Sequence, residues 1–393
     1  MKRRAWLTTA GTVIVVAAAG GVWRAHRQGV FEVGEGPAYE PWKDWRTDAR
    51  EGSLALVRAA LLASNPHNTQ PWLFKLTPAK VELHADSARN LGSFDPYLRE
   101  MHIGLGCAVE NMLLAAAANG YRAQAVVVPG SLASMPSASA PVLAARIDLA
   151  PGRPEANSLY EAIAWRHTDR GPYRSDRALA PEALTSLVRM ADGDSELKLH
   201  LYTSPEDKLK FGAAVVQATE AIIADATMVQ DSERWFRHRW DDVQHMRDGI
   251  TLDAAGLPAA LTALAKMMPP PSAQTNHRYW LDATRDVHVK TAQLFGLIAV
   301  RDRYDREQTL RAGRLWQRMH LWATTQGIAM QPLNQPVEMV DRERQLGKPA
   351  QADRTLAQFT ADEAWKPTFA FRAGYPTRQA PASPRRAVQQ VLV

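Results

Sequence analysis

One cysteine, Cys107, stands in the 393 residues, so no disulfide can form within the chain. Its neighbours Gly106, Ala108 and Val109 are small or apolar, whereas a reactive thiol needs exposure and a cationic partner. The 11 histidines are scattered. There is no His-Glu-x-x-His helix and no paired cysteine, which leaves no zinc signature. Zinc-finger, basic-zipper and RNA-recognition patterns are missing too. Net charge is +6 and sequence pI about 9.4, but arginine alternates closely with Asp and Glu across 231–248 and 301–318. That pattern marks solvated mixed-charge helices rather than a nucleic-acid face. Ser195-Glu196-Leu197-Lys198 fits Ser-x-x-Lys. It precedes an alternating strand instead of opening a helix, and it lacks the Ser-x-Asn and Lys-Thr-Gly partners that acyl-transfer chemistry requires.

What the chain does hold is a large apolar fraction, 46% hydrophobic against 22% charged, enough for a sizeable core and two or three domains. Residues 1–30 stand apart. Lys2, Arg3 and Arg4 precede an uncharged run from Ala5 to Trp23, and Arg24 and Arg27 follow it. An adjacent Arg3-Arg4 pair ahead of a Gly/Ala-rich segment resembles a twin-arginine export signal, although Ala5-Trp6-Leu7 departs from its usual pattern. The run of roughly 19 residues is long enough to span a bilayer, with Trp6 and Trp23 placed for the two interfaces. No small-x-small cleavage site and no lipid-bearing cysteine follows, so a retained anchor and a cleaved signal both stay open. The alternative is an ordinary signal or membrane helix with a chance arginine pair. The expectation is export by the twin-arginine machinery to the periplasm, or a periplasm-facing protein anchored by residues 5–23.

Residues 31–50, with Gly34, Gly36, Pro37, Pro41, Trp42 and Trp45, read as a linker or a surface arm. Residues 51–150 form a first unit and 151–393 a second, with a helical insertion over about 205–290. Both units run helix, strand, long apolar helix ending in glycine, strand: Asn111–Tyr121 with Gly120 parallels Met319–Ile328 with Gly327. The pattern reads as a fused duplication. A helix over 155–166 and a closing helix over 384–392 are also expected.

The most informative stretch is Ser64-Asn65-Pro66-His67-Asn68-Thr69-Gln70-Pro71-Trp72. It joins an apolar helix to an apolar strand, where scaffolds present functional loops. A plain turn needs one or two polar residues, and this one carries hydrogen-bonding groups suited to the edges of a planar heteroaromatic ring. A helix end followed by an Asn-Pro turn is the competing reading. The stretch resembles the flavin loop of the nitroreductase family, Ser-x-x-Asn-x-Gln-Pro-Trp, and is most like its Acg-type branch. The resemblance implies an α+β nitroreductase-like fold, two fused units forming a pseudo-dimer, and FMN as cofactor. Ser64, His67, Asn68 and Gln70 would contact the flavin ring and ribityl chain.

In that family an Arg-x-Ser/Thr-x-Arg segment binds the FMN phosphate, and Arg166-His167-Thr168-Asp169-Arg170 matches it here. Two guanidiniums flanking a hydroxyl suit a phosphomonoester, and a basic helix-ending turn is the alternative. Thus Arg166, Thr168 and Arg170 lie in unit two, while the Ser-Asn-Gln loop lies in unit one. Unit two has only Ala191–Ser195 where the loop should be. Unit one has only the weak echo Arg46-Thr47-Asp48-Ala49-Arg50 where the phosphate segment should be. Nitroreductases are normally homodimers with two interfacial FMN sites, so the resemblance implies one composite site between the units and one degenerate site. Pro332, Leu333 and Asn334 match the segment whose amides approach the flavin's N5 edge. Arg385 and Arg386, after Gly374-Tyr375-Pro376, resemble the C-terminal phosphate contacts, at a helix start that favours phosphate. The implied protein is a monomeric FMN-dependent oxidoreductase with no catalytic side chain of its own and an unidentified electron donor and acceptor. The alternative is a non-catalytic FMN-binding or flavin-sequestering protein. The insertion 205–290 is either a lid over the pocket or extra helices packed on the core.

Overall fold

The structure is a computed structural model and describes residues 21–46, 52–133 and 140–393. Residues 1–20, which carry most of the export signal, and Thr47–Arg50 of the weak phosphate echo lie outside the described residues.

Helices α1 (21–27), α2 (Glu40–Asp44) and α3 (Leu54–Leu61) lead into β1 (Trp72–Thr77) and β2 (Lys80–Ala85). The long α4 (Arg99–Ala118), β3 (Tyr121–Val127) and β4 (Val142–Pro151) follow. The second half opens with α5 (Ser158–Glu161), α6 (Pro181–Arg189) and β5 (Leu197–Tyr202). Next come α7 (Pro205–Ala224), α8 (Ala226–Glu233), β6 (Phe236–Arg237), α9 (Trp240–Met246), β7 (Ile250–Thr251), α10 (Ala259–Met267) and α11 (Ala273–Asp282). The chain closes with β8 (Leu294–Val300), α12 (Arg306–Thr325), β9 (Ala329–Pro332), α13 (Gln335–Gln345), α14 (Gln351–Ala357) and β10 (Lys366–Gly374).

The strands form two four-stranded antiparallel sheets, ordered β1-β2-β4-β3 and β5-β8-β10-β9. Each half therefore runs strand, strand, long helix, strand, strand, with the third strand at an edge and the fourth inside. The shared topology bears out an α+β fold of two fused units. The β8 run Leu-Phe-Gly-Leu-Ile-Ala-Val is buried throughout, as a central strand covered on both faces must be. In β3 exposure alternates, as for a strand with one wet face.

The two long helices cross at the middle of the molecule. Gly106 of α4 and Gly313 of α12 make the crossing possible. A Cβ on Gly106 would lie 2.1 Å from the Leu310 carbonyl oxygen, and one on Gly313 would lie 2.0 Å from that of Ile103. Each glycine thus meets the carbonyl one helical turn before the other, as a two-fold axis between like helices demands. Around this crossing Asn111 takes a hydrogen bond from Gln317 (2.8 Å) and gives one to the Ala59 carbonyl (2.8 Å). One continuous apolar core runs from Leu56 and Trp72 of the first half to Trp316 and Phe371 of the second. By length and hydropathy α4 could cross a membrane, but 78% of its most apolar window is buried inside the protein.

Two sequence expectations fail locally. The helix expected over 155–166 is a short α5 followed by a 3-10 turn, Ala162–Ala164. The closing helix over 384–392 is absent; only a 3-10 turn, Val388–Gln390, forms. The tail is instead drawn to the edge of β1, where the Phe74 amide donates to Val391 (2.7 Å) and Val393 to Phe74 (3.0 Å). Arg385 and Arg386 therefore do not sit at a helix N-terminus.

Candidate functional site

The loop after α3 is held in an unusual backbone path. His67, Asn68 and Gln70 all adopt positive φ, at 47, 55 and 51°. Side-chain-bearing residues avoid that region, and such strain persists only where the surroundings over-determine it. Here the restraints are visible. The Asn65 side chain accepts from the Gln70 amide (2.8 Å), and the Asn68 carbonyl accepts from the Gly249 amide (3.1 Å).

The loop's side chains are committed to two other segments of the chain. Asn68 donates to the carbonyls of Gly249 (3.1 Å) and Pro384 (2.9 Å) and accepts from the Arg385 guanidinium. Gln70 donates to the Arg247 carbonyl (2.8 Å) and accepts from the Arg386 amide (2.7 Å). Asp248, between Arg247 and Gly249, is buried and ion-paired to Arg89 and to Arg237. Three consecutive residues of the insertion are thus fastened to the first half. His67 lies against Ser232 of α8, 2.9 Å away. Burial holds its imidazole down to about 3, helped by the Arg170 charge, so it is neutral at ordinary pH.

Below the loop sit two buried cations. Arg166 donates to the Ser64 hydroxyl (3.1 Å) and the Leu62 carbonyl (3.1 Å). Arg385 reaches Asn68 and the Pro384 carbonyl (2.9 Å). They are 2% and 3% exposed. Among the described residues neither has a carboxylate within the 4.0 Å of an ion pair. The Nε of each also lacks a hydrogen-bond partner among those residues. Burial lowers Arg166 to about 10. Burial first, and then repulsion from Arg166, lowers Arg385 well below its ordinary value. The neighbouring His167 is held at about 3 and His320 well below its usual range, so neither adds charge. An uncompensated buried charge costs several kcal/mol, and a bound anion is what relieves it. The donor set fits a phosphate.

The other expected residues have the following places. Thr168 is half-buried on the same segment. Arg170 turns away to the Ala254 carbonyl (3.2 Å), where its charge acts on His67 and His288. Arg386 binds the Gln70 carbonyl (3.2 Å). Pro332, Leu333 and Asn334 line a sheet edge at the end of β9; Leu333 donates to the Ala370 carbonyl (2.8 Å) and the Asn334 side chain accepts from the Ala370 amide (2.7 Å). Of these three only Asn334 could present an amide outward. In sum, the loop residues Ser64, Asn68 and Gln70 are bonded to Arg166, Arg385 and Arg386 of the other half, whereas Pro332–Asn334 are held against Ala370 with no hydrogen bond to that cluster among the described residues.

Sequence reading missed two groups. Tyr39 and Trp42, from the segment taken for a linker, cover the cations: Trp42 stacks edge-on to His167 (4.7 Å between centroids) and lies under the Arg385 guanidinium (4.8 Å). Its indole donates to the Ser383 carbonyl (2.7 Å), and the Ala38 carbonyl accepts from the Arg385 amide (2.7 Å). Arg372 is fully buried on β10 and donates to Gln331 (2.6 Å) and to the Gly171 carbonyl (2.7 Å). It also reaches the His288 carbonyl (3.2 Å) in a π-helical turn, Ala283–Val289, whose pitch frees carbonyls from the helix ladder. The two aromatics in a Gly/Pro-rich arm were the available signal for the first; an isolated arginine in an apolar strand was the signal for the second.

Shape and chemistry do not coincide. A cleft of about 220 Å³ lies between α2, Arg58, Leu61, Arg247 and Ala387–Gln389, and none of the expected site residues lines it. Cofactor pockets usually hold about 300–1,000 Å³. At the cluster itself, Arg247 and Gly249 are bonded to Gln70 and Asn68, and Ala38 and Trp42 pack on Arg385.

No family model matches the chain. Two curated relatives do, both from Mycobacterium tuberculosis: "Putative NAD(P)H nitroreductase Rv3131" of strain H37Rv and "Putative NAD(P)H nitroreductase MT3217" of strain CDC 1551 / Oshkosh. Each is 26% identical over 346 residues, covering 86% of this chain and 90% of the relative. These relatives support the nitroreductase family for this chain. Among solved structures, the FMN-dependent nitroreductase NfnB from Mycobacterium smegmatis in complex with NADPH is 16% identical at a TM-score of 0.37, over 59% of this chain and 96% of that one. A nitroreductase with bound FMN from Desulfitobacterium hafniense is 11% identical at 0.34, over 59% and 95%. Likenesses this low carry no argument about the site.

Proposed function

We propose that this chain is an FMN-dependent oxidoreductase of the nitroreductase type, with one FMN bound between its two halves. The observation that carries the reading is the pair Arg166 and Arg385, buried cations without an acidic partner among the described residues, which reach Ser64 and Asn68 on the loop of the other half. When bound, FMN supplies the hydride or electron chemistry. The residues of the chain hold and shield it. Arg166 and Arg385 would take the phosphate, with Thr168 and Arg386 near it. Asn68, Gln70 and the Asn334 amide would meet the polar edges of the flavin once freed from their present partners. His67, held neutral, neither charges the site nor titrates near pH 7. The clasped insertion and arm would exclude water during transfer.

The finer reading is an Acg-like, monomeric enzyme, exported and anchored by residues 5–23, with 205–290 as a lid. The names of the relatives point to NAD(P)H as donor. Outside the cytoplasm a membrane electron carrier would have to replace it. One observation favours a second reading, a flavin-sequestering protein without turnover: the lid residues Arg247–Gly249 are bonded to the flavin loop itself.

The test is the absorption spectrum of the purified full chain after FMN addition and desalting, followed by addition of NADPH or a quinol. Retained flavin that is weakened about 10- to 100-fold in Arg166→Ala, as loss of a charge-assisted bond predicts, supports the site. Bleaching by a donor separates the enzyme from the sequestering protein. Flavin that never stays bound overturns both.

A further inference from the structure

Helix α10 is inside out. A surface helix of a water-soluble protein buries its apolar stripe and shows its polar face. In α10 the polar residues Thr262 and Lys266 are the buried ones, each 8% exposed. The Lys266 ammonium is paired with Asp253 (2.7 Å) and donates to the Gly29 carbonyl (2.8 Å). The opposite face carries Leu261, Leu264 and, at the helix end, Met268, which are 52%, 58% and 59% exposed. Their spacing of three and four residues puts them in one row.

The neighbour of this row is the entry of the chain into the fold. Arg24 of α1 donates to the Met267 carbonyl (3.1 Å), and beside it Val22 and Trp23 stand 57% and 66% exposed. The residues directly before α1 in sequence, Ala5 to Gly20, contain no charge. An outward apolar row, an exposed tryptophan and the end of an uncharged run therefore share one side of the molecule. Exposed apolar patches mark interaction sites, and tryptophan favours the boundary between water and lipid.

We propose that this face, the outer row of α10 with Val22 and Trp23, is seated on a phospholipid bilayer. The insertion then lies in the interface as a monotopic contact, in addition to whatever residues 5–20 do. The net charge of +6 favours an anionic leaflet. A second copy of the chain is the weaker occupant, because the five side chains of this face fall far short of the roughly 20–30 residues and 800 Å² per partner that a stable dimer buries. The contact also places the bilayer beside the segment that closes on the candidate site: Asp253, which anchors Lys266, follows Arg247–Gly249 by one short strand.

The experiment is a spin label on Leu264→Cys in the full chain, bound to vesicles of phosphatidylglycerol and phosphatidylcholine. Cys107 is buried and leaves the new thiol as the labelling site. Collision with oxygen should rise and collision with a water-soluble nickel chelate should fall on vesicle binding. The same should hold at Leu261→Cys, while a label at the exposed Arg189→Cys of α6 stays in water. A chain that floats with the vesicles while both α10 labels remain open to nickel overturns the proposal and leaves the anchor intact. A chain that does not float overturns the proposal and the anchored reading together. Spin–spin broadening in detergent without lipid would assign the face to a second copy instead.

Discussion

Replacing Arg166 by methionine should make the empty protein more stable and the flavin complex less so. Burial holds the guanidinium at about 10, well below its ordinary value. At about 1.4 kcal/mol per tenfold, that is roughly 3 kcal/mol of unfavourable charge in the folded state. The guanidinium is charged in both states below pH 10, so the cost is fully present there and is relieved only as pH rises from about 10 towards the ordinary arginine value. Arg166→Met removes the charge but keeps the length. It also loses the bonds to Ser64 and Leu62, worth about 1 kcal/mol each. The empty variant should gain about 1 kcal/mol, with a further contribution as Arg385 loses its repelling neighbour. With FMN in excess the order should invert, since the phosphate loses a charge-assisted bond of about 1.5–3 kcal/mol. Urea midpoints with and without FMN, for both proteins, complete the cycle. A variant that is less stable than the parent when empty, yet equally stabilised by FMN, refutes the assignment of Arg166 to an anion.

Gly106→Ala and Gly313→Ala should each destabilise by about 1–3 kcal/mol and by similar amounts, because the added Cβ meets a helix carbonyl at 2.1 and 2.0 Å in equivalent places; thermal unfolding of both variants checks this. Asn68→Ala should release the Gly249 and Pro384 carbonyls and the Arg385 guanidinium, at about 1–3 kcal/mol for the unpaired groups. Hydrogen exchange over 245–256 should quicken, and unchanged protection there would mean that the remaining Gln70 bond to Arg247 and the Asp248 ion pairs suffice to fasten the insertion. Stability should fall as pH drops below about 6.5. His67 and His167 are held neutral, at about 3, and His102 at about 4, so the unfolded chain takes up protons first. His167→Gln should flatten the fall in urea midpoint between pH 7 and 4.

The duplication was legible because hydrophobic periodicity and the paired Gly120 and Gly327 repeat along the chain, and packing follows those patterns. The exact crossing of α4 and α12 was not, since a glycine in a helix does not announce which carbonyl it faces. The polar loop 64–72 and Arg166 stood out because hydrogen-bonding groups and charge are dense there. Their present partners were hidden: the Arg247 and Gly249 carbonyls are backbone atoms, available from any residue type, and carry no sequence signature. The closing helix was misread because the apolar periodicity of 384–392 suits a helix and a strand-edge tail alike. Only the free edge of β1 decides between them. Tyr39 and Trp42 lay in a segment whose glycines and prolines read as linker, while their burial depends on a surface built by distant residues.

The account rests on a single composite site, and the number of flavins per chain tests it most directly. Native mass spectrometry of the full chain with saturating FMN should show one FMN per 43.5 kDa chain. That FMN should be lost or greatly weakened by Asn68→Ala in one half and by Arg166→Ala in the other. Two flavins per chain, or one that survives both substitutions, would contradict it.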